Sequence, residues 1–263
     1  MIAAIRMMAP VKILYTIPNF ITAGSGQAML NVIERLHRGR FSPAIAVLKK
    51  GGDLEKRIHE LGIPLMEAPF VIAAKPYLSL PFRARRAAAV FRGGGFRLWH
   101  SFHYADDYTE SLIARWSGAR WMFTKKNMGW GSRGWKVRCR LAVRIAAQNS
   151  TMPQTFLQPF KAKVKVIPPT VDTQAYRPER SPVWRQRLGI PDGEALVGHC
   201  AHFVPVKNHL FLLRALARCR ERFHVLFAGR LGESDYARQV VQLAEELGLK
   251  SRVHFSRAGF GYS

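Results

Sequence analysis

The chain of 263 residues carries 41 Lys and Arg against 17 Asp and Glu, a net charge of +24. That excess attracts polyanions, so nucleic acid, an anionic membrane surface and phosphorylated substrates are all candidate partners. No apolar run approaches the ~18 residues of a membrane span. The opening MIAAIRMMAPVKILYTI also lacks the long apolar core and cleavage site of a signal peptide. Cys139, Cys200 and Cys219 are odd in number and lack metal-ligand spacing, which reads as reduced thiols in a cytoplasmic protein.

The first element expected is a buried strand over Lys12–Ile17, followed by a loop, PNFITAGSGQ, and a helix over Gln27–His37. SPAIAVL reads as a second strand, Asp53–Leu61 as a helix closed by Gly62, and IPLMEAP as a third strand. An arginine-rich helix spans Leu80–Arg92 and stops at Gly93–Gly95. RLWHSFH and ARWMFTKKN follow as strands, Arg133–Gln148 as a helix, and KVKVIPP as a strand halted by prolines. Residues 168–194, rich in Pro and Arg, mark a boundary, after which the pattern restarts: strand ALVGHCA, helix His209–Cys219, strand FHVLFAG, helix Asp235–Leu247, strand RVHF. Strands alternating with helices predict parallel sheets built from right-handed crossovers. The expectation is an α/β protein of two Rossmann-like domains, 1–170 and 171–263, the second incomplete because three strands fall short of the usual five or six.

Several residues suggest a bound anion. Lys207 stands between the ALVGHCA strand and the next helix, with His202 just before it; an ammonium there suits a diphosphate, although a solvated loop lysine is the plainer reading. Gly24, Ser25 and Gly26 precede the first helix and would let backbone amides approach a phosphate, or simply form a turn. The dinucleotide fingerprint fails, because Met29 occupies the third glycine position and the second strand ends in Lys49–Lys50 rather than an acid. His100 and His103 lie where the RLWHSFH strand ends, the side on which open parallel sheets bind ligands, and either could serve there or be structural. Between Arg83 and Arg144 fourteen basic residues meet three acids, and Arg133, Lys136, Arg140 and Arg144 are predicted to share one helical stripe. That stripe is either a solvated face or a grip on lipid phosphates, and YLSLPF ahead of Arg83, Arg85, Arg86 and Arg92 adds to the membrane case.

Five segments in order resemble the retaining, family-4 type of glycosyltransferase with the GT-B fold. They are KILYTIPNFITAGSGQAMLNVIERL, RLWHSFH, VKVIPPTVDTQAYRP, LVGHCAHFVPVKNHLFLLRAL and FHVLFAGRLGES. The resemblance implies a nucleotide-sugar donor, a glycan or lipid-linked acceptor, and no metal or other cofactor. It implies that His100 approaches the donor sugar as the catalytic-side residue, and that Lys207 binds the diphosphate. His202 stands where the family usually has arginine; Gly24 to Gly26 are implied over the phosphates or on the acceptor side of the cleft, and Gly229 and Arg230 near the donor. The family's pair of glutamates, seven residues apart, does not follow Phe255. The resemblance therefore implies a C-terminally truncated chain with impaired transfer, at the cytoplasmic membrane face. The alternative is a non-catalytic, basic membrane-surface or acceptor-binding module. Nucleic-acid binding is not expected, because no helix-turn-helix, finger or RNP signature is present.

Overall fold

The structure, a computed structural model, describes residues 9–21, 23–129, 134–178, 182–219, 223–229, 232 and 234–256. It divides into two units, Met1–Tyr176 and Arg177–Ser263. The division falls six residues beyond the expected Thr170, and the ion pair of Arg35 with Asp172, at 2.8 Å, ties that extra stretch to the first unit.

The first unit holds seven strands: β1 (Val11–Ile17), β2 (Phe41–Val47), β3 (Leu65–Glu67), β4 (Leu98–Ser101), β5 (Arg120–Lys125), β6 (Arg144–Ala147) and β7 (Val164–Val166). All pair in parallel in the order β3-β2-β1-β4-β5-β6-β7. Helices α1 (Ala23–Glu34), α2 (Glu55–Glu60), α3 (Leu80–Arg92), α4 (Thr109–Ser117) and α5 (Trp135–Leu141) complete it. Two cores result. One places Met29, Leu30 and Ile33 of α1 and Ile58 of α2 against Ile13, Ile17 and Ile45. The other buries Ala84, Ala88 and Phe91 of α3 and Ile113 of α4 with Trp99, Trp121 and Phe123. The strand order reverses between β1 and β4, so the carboxyl ends of these two strands flank the crevice where doubly wound sheets take ligands.

The second unit holds α6 (Val183–Leu188), β8 (Ala195–Cys200), α7 (His209–Arg218), β9 (Phe223–Ala228), α8 (Asp235–Glu246) and β10 (Val253–Ser256). Its sheet is parallel, in the order β10-β9-β8. Leu213 and Leu216 of α7 and Val240 and Ala244 of α8 bury against Val225, Phe227 and Val253. Ser234 caps α8, its hydroxyl accepting from the Ala237 amide.

Three expectations are corrected. Gly24, Ser25 and Gly26 lie inside the first turns of α1 rather than in a loop. The helix expected over Arg133–Gln148 is two elements: α5 ends at Leu141, Ala142 turns extended at ψ 138°, and β6 follows. Ile145, Ala146 and Ala147 are buried between β5 and β7, and a short apolar run of this kind has no period that separates strand from helix. The predicted basic stripe dissolves with that helix: Arg144 starts a strand and Arg133 lies outside the described residues. Helix α4, absent from the expected elements, is signalled by Asp107, which accepts from the amides of Thr109 and Glu110, and by Gly118 at φ 90°.

Candidate functional site

His100 is the third residue of β4, level with Tyr15 of β1 across the strand reversal. Its Nε2 lies 2.8 Å from the Thr124 hydroxyl of β5, and the ring packs against Tyr15 and Phe102 at 5.4 and 4.8 Å. Burial, assisted by the Lys126 charge, lowers its pKa to about 3, so the imidazole is neutral throughout the physiological range. The ring lines a pocket of about 90 Å³, with Ala28 and Val32 of α1, Thr124, Gln148 and Pro168 among its walls. That is room for a few waters or one small polar group. A neutral, pinned imidazole in such a pocket offers hydrogen bonding rather than a mobile proton.

Lys126, just past β5, was not singled out in the sequence. Its ammonium donates to the Ser25 hydroxyl at 2.8 Å and to the Phe102 carbonyl at 2.6 Å. Burial first, then the neighbouring Arg138, lowers its pKa to about 8. A cation beside the first turn of α1 also meets the positive end of that helix dipole. Both effects are relieved by an anion. Ser25 is thus brought together with Lys126. Gly26 has a packing role: a Cβ there would stand 2.8 Å from Phe20 and 2.9 Å from Leu54. Gly24 is exposed with open space around it.

His103 does not join His100 at the pocket. Its ring is buried edge-on against Phe70 at 5.9 Å, Nδ1 has no hydrogen-bond partner, and burial followed by Arg138 lowers its pKa to about 4. Beneath it lies an ionic network that sequence reasoning missed. Glu110 is fully buried and accepts from the Thr16 hydroxyl, the Trp99 indole at 3.1 Å and the Ser101 hydroxyl at 2.7 Å. Arg138 Nη2 lies 3.5 Å from its carboxylate. The guanidinium sits over Trp121 and Phe123 at 4.7 and 4.8 Å, and donates to the Asp107 and His103 carbonyls. Four elements are thereby locked beneath the loop that carries Phe102 to Asp107. The available signal was Glu110, one of only three acids amid fourteen basic residues and set in a helix of otherwise apolar pattern, which calls for a buried partner.

In the second unit Lys207 ends a short 3-10 turn, Pro205–Lys207, between β8 and α7. Asn208 follows in the left-handed conformation at φ 56°, turning the chain into the helix. Lys207 and His202 are exposed, and among the described residues the Lys207 ammonium has no hydrogen-bond or ion-pair partner. The strand-to-helix placement inferred for Lys207 is therefore what the structure has. Gly229 closes β9, where a Cβ would lie 2.0 Å from the Ala201 carbonyl oxygen. Only glycine permits that approach. Arg230 lies outside the described residues. Trp184 of α6, Leu196, Cys200 and Ala228 border an open cavity of about 330 Å³ at this sheet. Among the described residues no three His, Cys, Asp or Glu gather as a metal would require, and no helix is long and apolar enough to cross a membrane.

HepE of Anabaena, solved in complex with UDP and glucose, matches 95% of this chain with 70% of its own, at TM-score 0.73 and 20% identity. The fold is that of GT-B glycosyltransferases. Sequence relatives carry related names. A D-inositol 3-phosphate glycosyltransferase of Stackebrandtia nassauensis is 34% identical over 130 residues, 45% of this chain and 29% of the relative. EpsF of Bacillus subtilis (strain 168), provisionally named a glycosyltransferase, is 23% identical over 272 residues, 92% of this chain and 70% of the relative. The chain thus spans less than a third of the first relative's length and about two thirds of the second's. No protein-family profile matches it. Within the GT-B fold, His100 and Lys126 occupy the strand reversal of the first sheet and Lys207 the first strand-to-helix turn of the second.

Proposed function

We propose that the protein is a glycosyltransferase that moves a sugar from a nucleotide-sugar donor to a hydroxyl of a lipid-linked or polysaccharide acceptor. One observation carries this reading: a neutral, anchored His100 and a half-buried Lys126 converge on the crevice at the β1–β4 reversal. The names of the sequence relatives support it. In the reaction the bond from the anomeric carbon to the diphosphate breaks, a bond from that carbon to the acceptor oxygen forms, and the acceptor's proton leaves to the phosphate or to water.

Lys207 carries the departing diphosphate, where a fixed positive charge acts most strongly as negative charge develops. His202 adds a donor to the same group. His100 hydrogen-bonds the sugar and, being neutral, takes no proton from it. Lys126 and Ser25 receive an anionic group on the first-unit side. Five ordered segment resemblances support retention of anomeric configuration and transfer without a metal. Three free thiols accord with a cytoplasmic setting.

A transfer assay with a panel of UDP-, GDP- and ADP-sugars tests the reading. Turnover is expected, unaffected by EDTA, with Lys207→Ala lowering kcat/KM by about 10²–10³. The product anomer, read by NMR, is expected to match the donor's. Absence of turnover with every donor, or full turnover in Lys207→Ala, overturns the proposal.

A further inference from the structure

The segment leading into α3 presents an apolar surface that nothing in the described structure covers. Leu78 is 100% exposed, Phe82 72% and Tyr77 61%. The inward stripe of α3 is Leu80, Ala84, Ala88 and Phe91, all buried, which leaves Phe82, Arg86 and Val90 on the outward side at steps of four. Burying one face of this helix already satisfies its packing, so a second apolar line ending in a fully bare leucine needs another explanation.

The turn that displays these residues is held in place. Arg83 reaches back from α3: its guanidinium donates to the carbonyls of Ala73, Ala74 and Pro76 at 2.6, 3.3 and 2.9 Å, and to the Ser79 hydroxyl at 3.1 Å. Four bonds from one side chain fix the turn that carries Tyr77 and Leu78. Its neighbours line up along the helix: Arg85 lies over the half-exposed Trp116 ring at 5.7 Å, and Arg92 donates to the Trp116 carbonyl at 3.2 Å. Charge along this segment of the chain has one sign. Between Glu67 and Asp106 the chain has no acid, and its basic residues there are Lys75, Arg83, Arg85, Arg86, Arg92 and Arg97.

We infer that the Tyr77–Leu78–Phe82 edge, flanked by Arg85, Arg86 and Trp116, docks the protein on an anionic lipid surface. Apolar tips enter the acyl boundary while arginine stems lie along it and their guanidinium groups meet lipid phosphates. Tyrosine and tryptophan suit the same interfacial depth. A nucleic acid would use the arginines but gives an exposed leucine and phenylalanine nothing to bury against, so the lipid surface accounts for more of the patch. Docking requires no turnover. If the transferase reading holds, this edge brings the protein to a lipid-linked acceptor.

Co-flotation of the full chain with vesicles tests the inference. Binding is expected to phosphatidylcholine vesicles that contain phosphatidylglycerol, weakening as salt is raised, with little binding to phosphatidylcholine alone. Leu78→Ser with Phe82→Ser leaves the net charge unchanged and alters only exposed side chains. It is expected to weaken vesicle binding at least about tenfold, with circular dichroism unchanged. Arg85→Gln with Arg86→Gln is expected to reduce binding and flatten the salt dependence. Undiminished binding by the serine pair overturns the inference, as does equal binding to neutral vesicles. Two further results also overturn it: a gel shift with duplex DNA in the absence of vesicle binding, or a dimer in sedimentation that the serine pair dissolves.

Discussion

Two side chains at the crevice make the same demand on pH in different windows. His100 has a folded pKa of about 3 against 6.5 in the unfolded chain. Its contribution is therefore complete above pH 6.5 and is lost as pH falls towards 3, because the unfolded chain takes up a proton the folded one refuses. His100→Gln is expected to flatten the fall in thermal midpoint across that window. Lys126 acts in the same direction over a higher window. Its folded pKa of about 8 lies below 10.5, so its charged form costs stability at neutral pH, and stability rises between pH 8 and 10.5. Lys126→Met is expected to raise the midpoint at pH 7 and to remove that rise, while weakening protection by inorganic pyrophosphate. A lysine retained at such a cost, next to a helix N-terminus, is consistent with an anionic ligand. Cys139 provides a separate check: burial pushes its thiol to about 12, whereas Cys200 and Cys219 are exposed. Native thiol titration is expected to count two fast groups, and a third only after denaturation.

At the level of elements, the Glu110–Arg138 network joins β1, β4, α4 and α5 beneath the site. Removing one partner strands the other charge in an apolar layer. Glu110→Gln is expected to destabilise the first unit by about 3 kcal/mol in urea titration, with Glu110→Gln/Arg138→Met recovering part of the loss. Gly229 is an equally sharp case in the second sheet. A methyl group 2.0 Å from the Ala201 carbonyl oxygen must push β8 and β9 apart, so Gly229→Ala is expected to lower the second unit's stability by a few kcal/mol, read by hydrogen exchange. Neither substitution touches His100, and loss of activity in either would track unfolding.

Across the whole molecule the two units are unequal. Among the described residues, twenty and twelve buried residues form the two cores of the first unit, against ten in the core of the second. Three strands and a core of that size hold less free energy than seven strands with helices on both faces. Denaturant is therefore expected to unfold residues 177–256 before residues 9–176, resolved as two steps in hydrogen exchange rather than one.

The order of strands and helices apart from α4 and β6, the restart after the proline-rich stretch, the arginine helix at Leu80–Arg92 and the place of Lys207 were all legible in the sequence. Each depends on local periodicity or turn chemistry, which the chain carries within about a dozen residues. Where a short apolar run is buried on both faces, periodicity is silent, and β6 was read as the end of a helix. The glycine stretch was read as a loop although its residues join α1, because glycine permits helix as well as turn. Tertiary structure alone decided that β1 and β4 meet at the strand reversal, that Lys126 reaches Ser25 across 101 positions, and that Glu110 and Arg138 share one buried site. Those facts depend on side chains distant in sequence meeting in a low-dielectric interior, where one charge dictates the place of another.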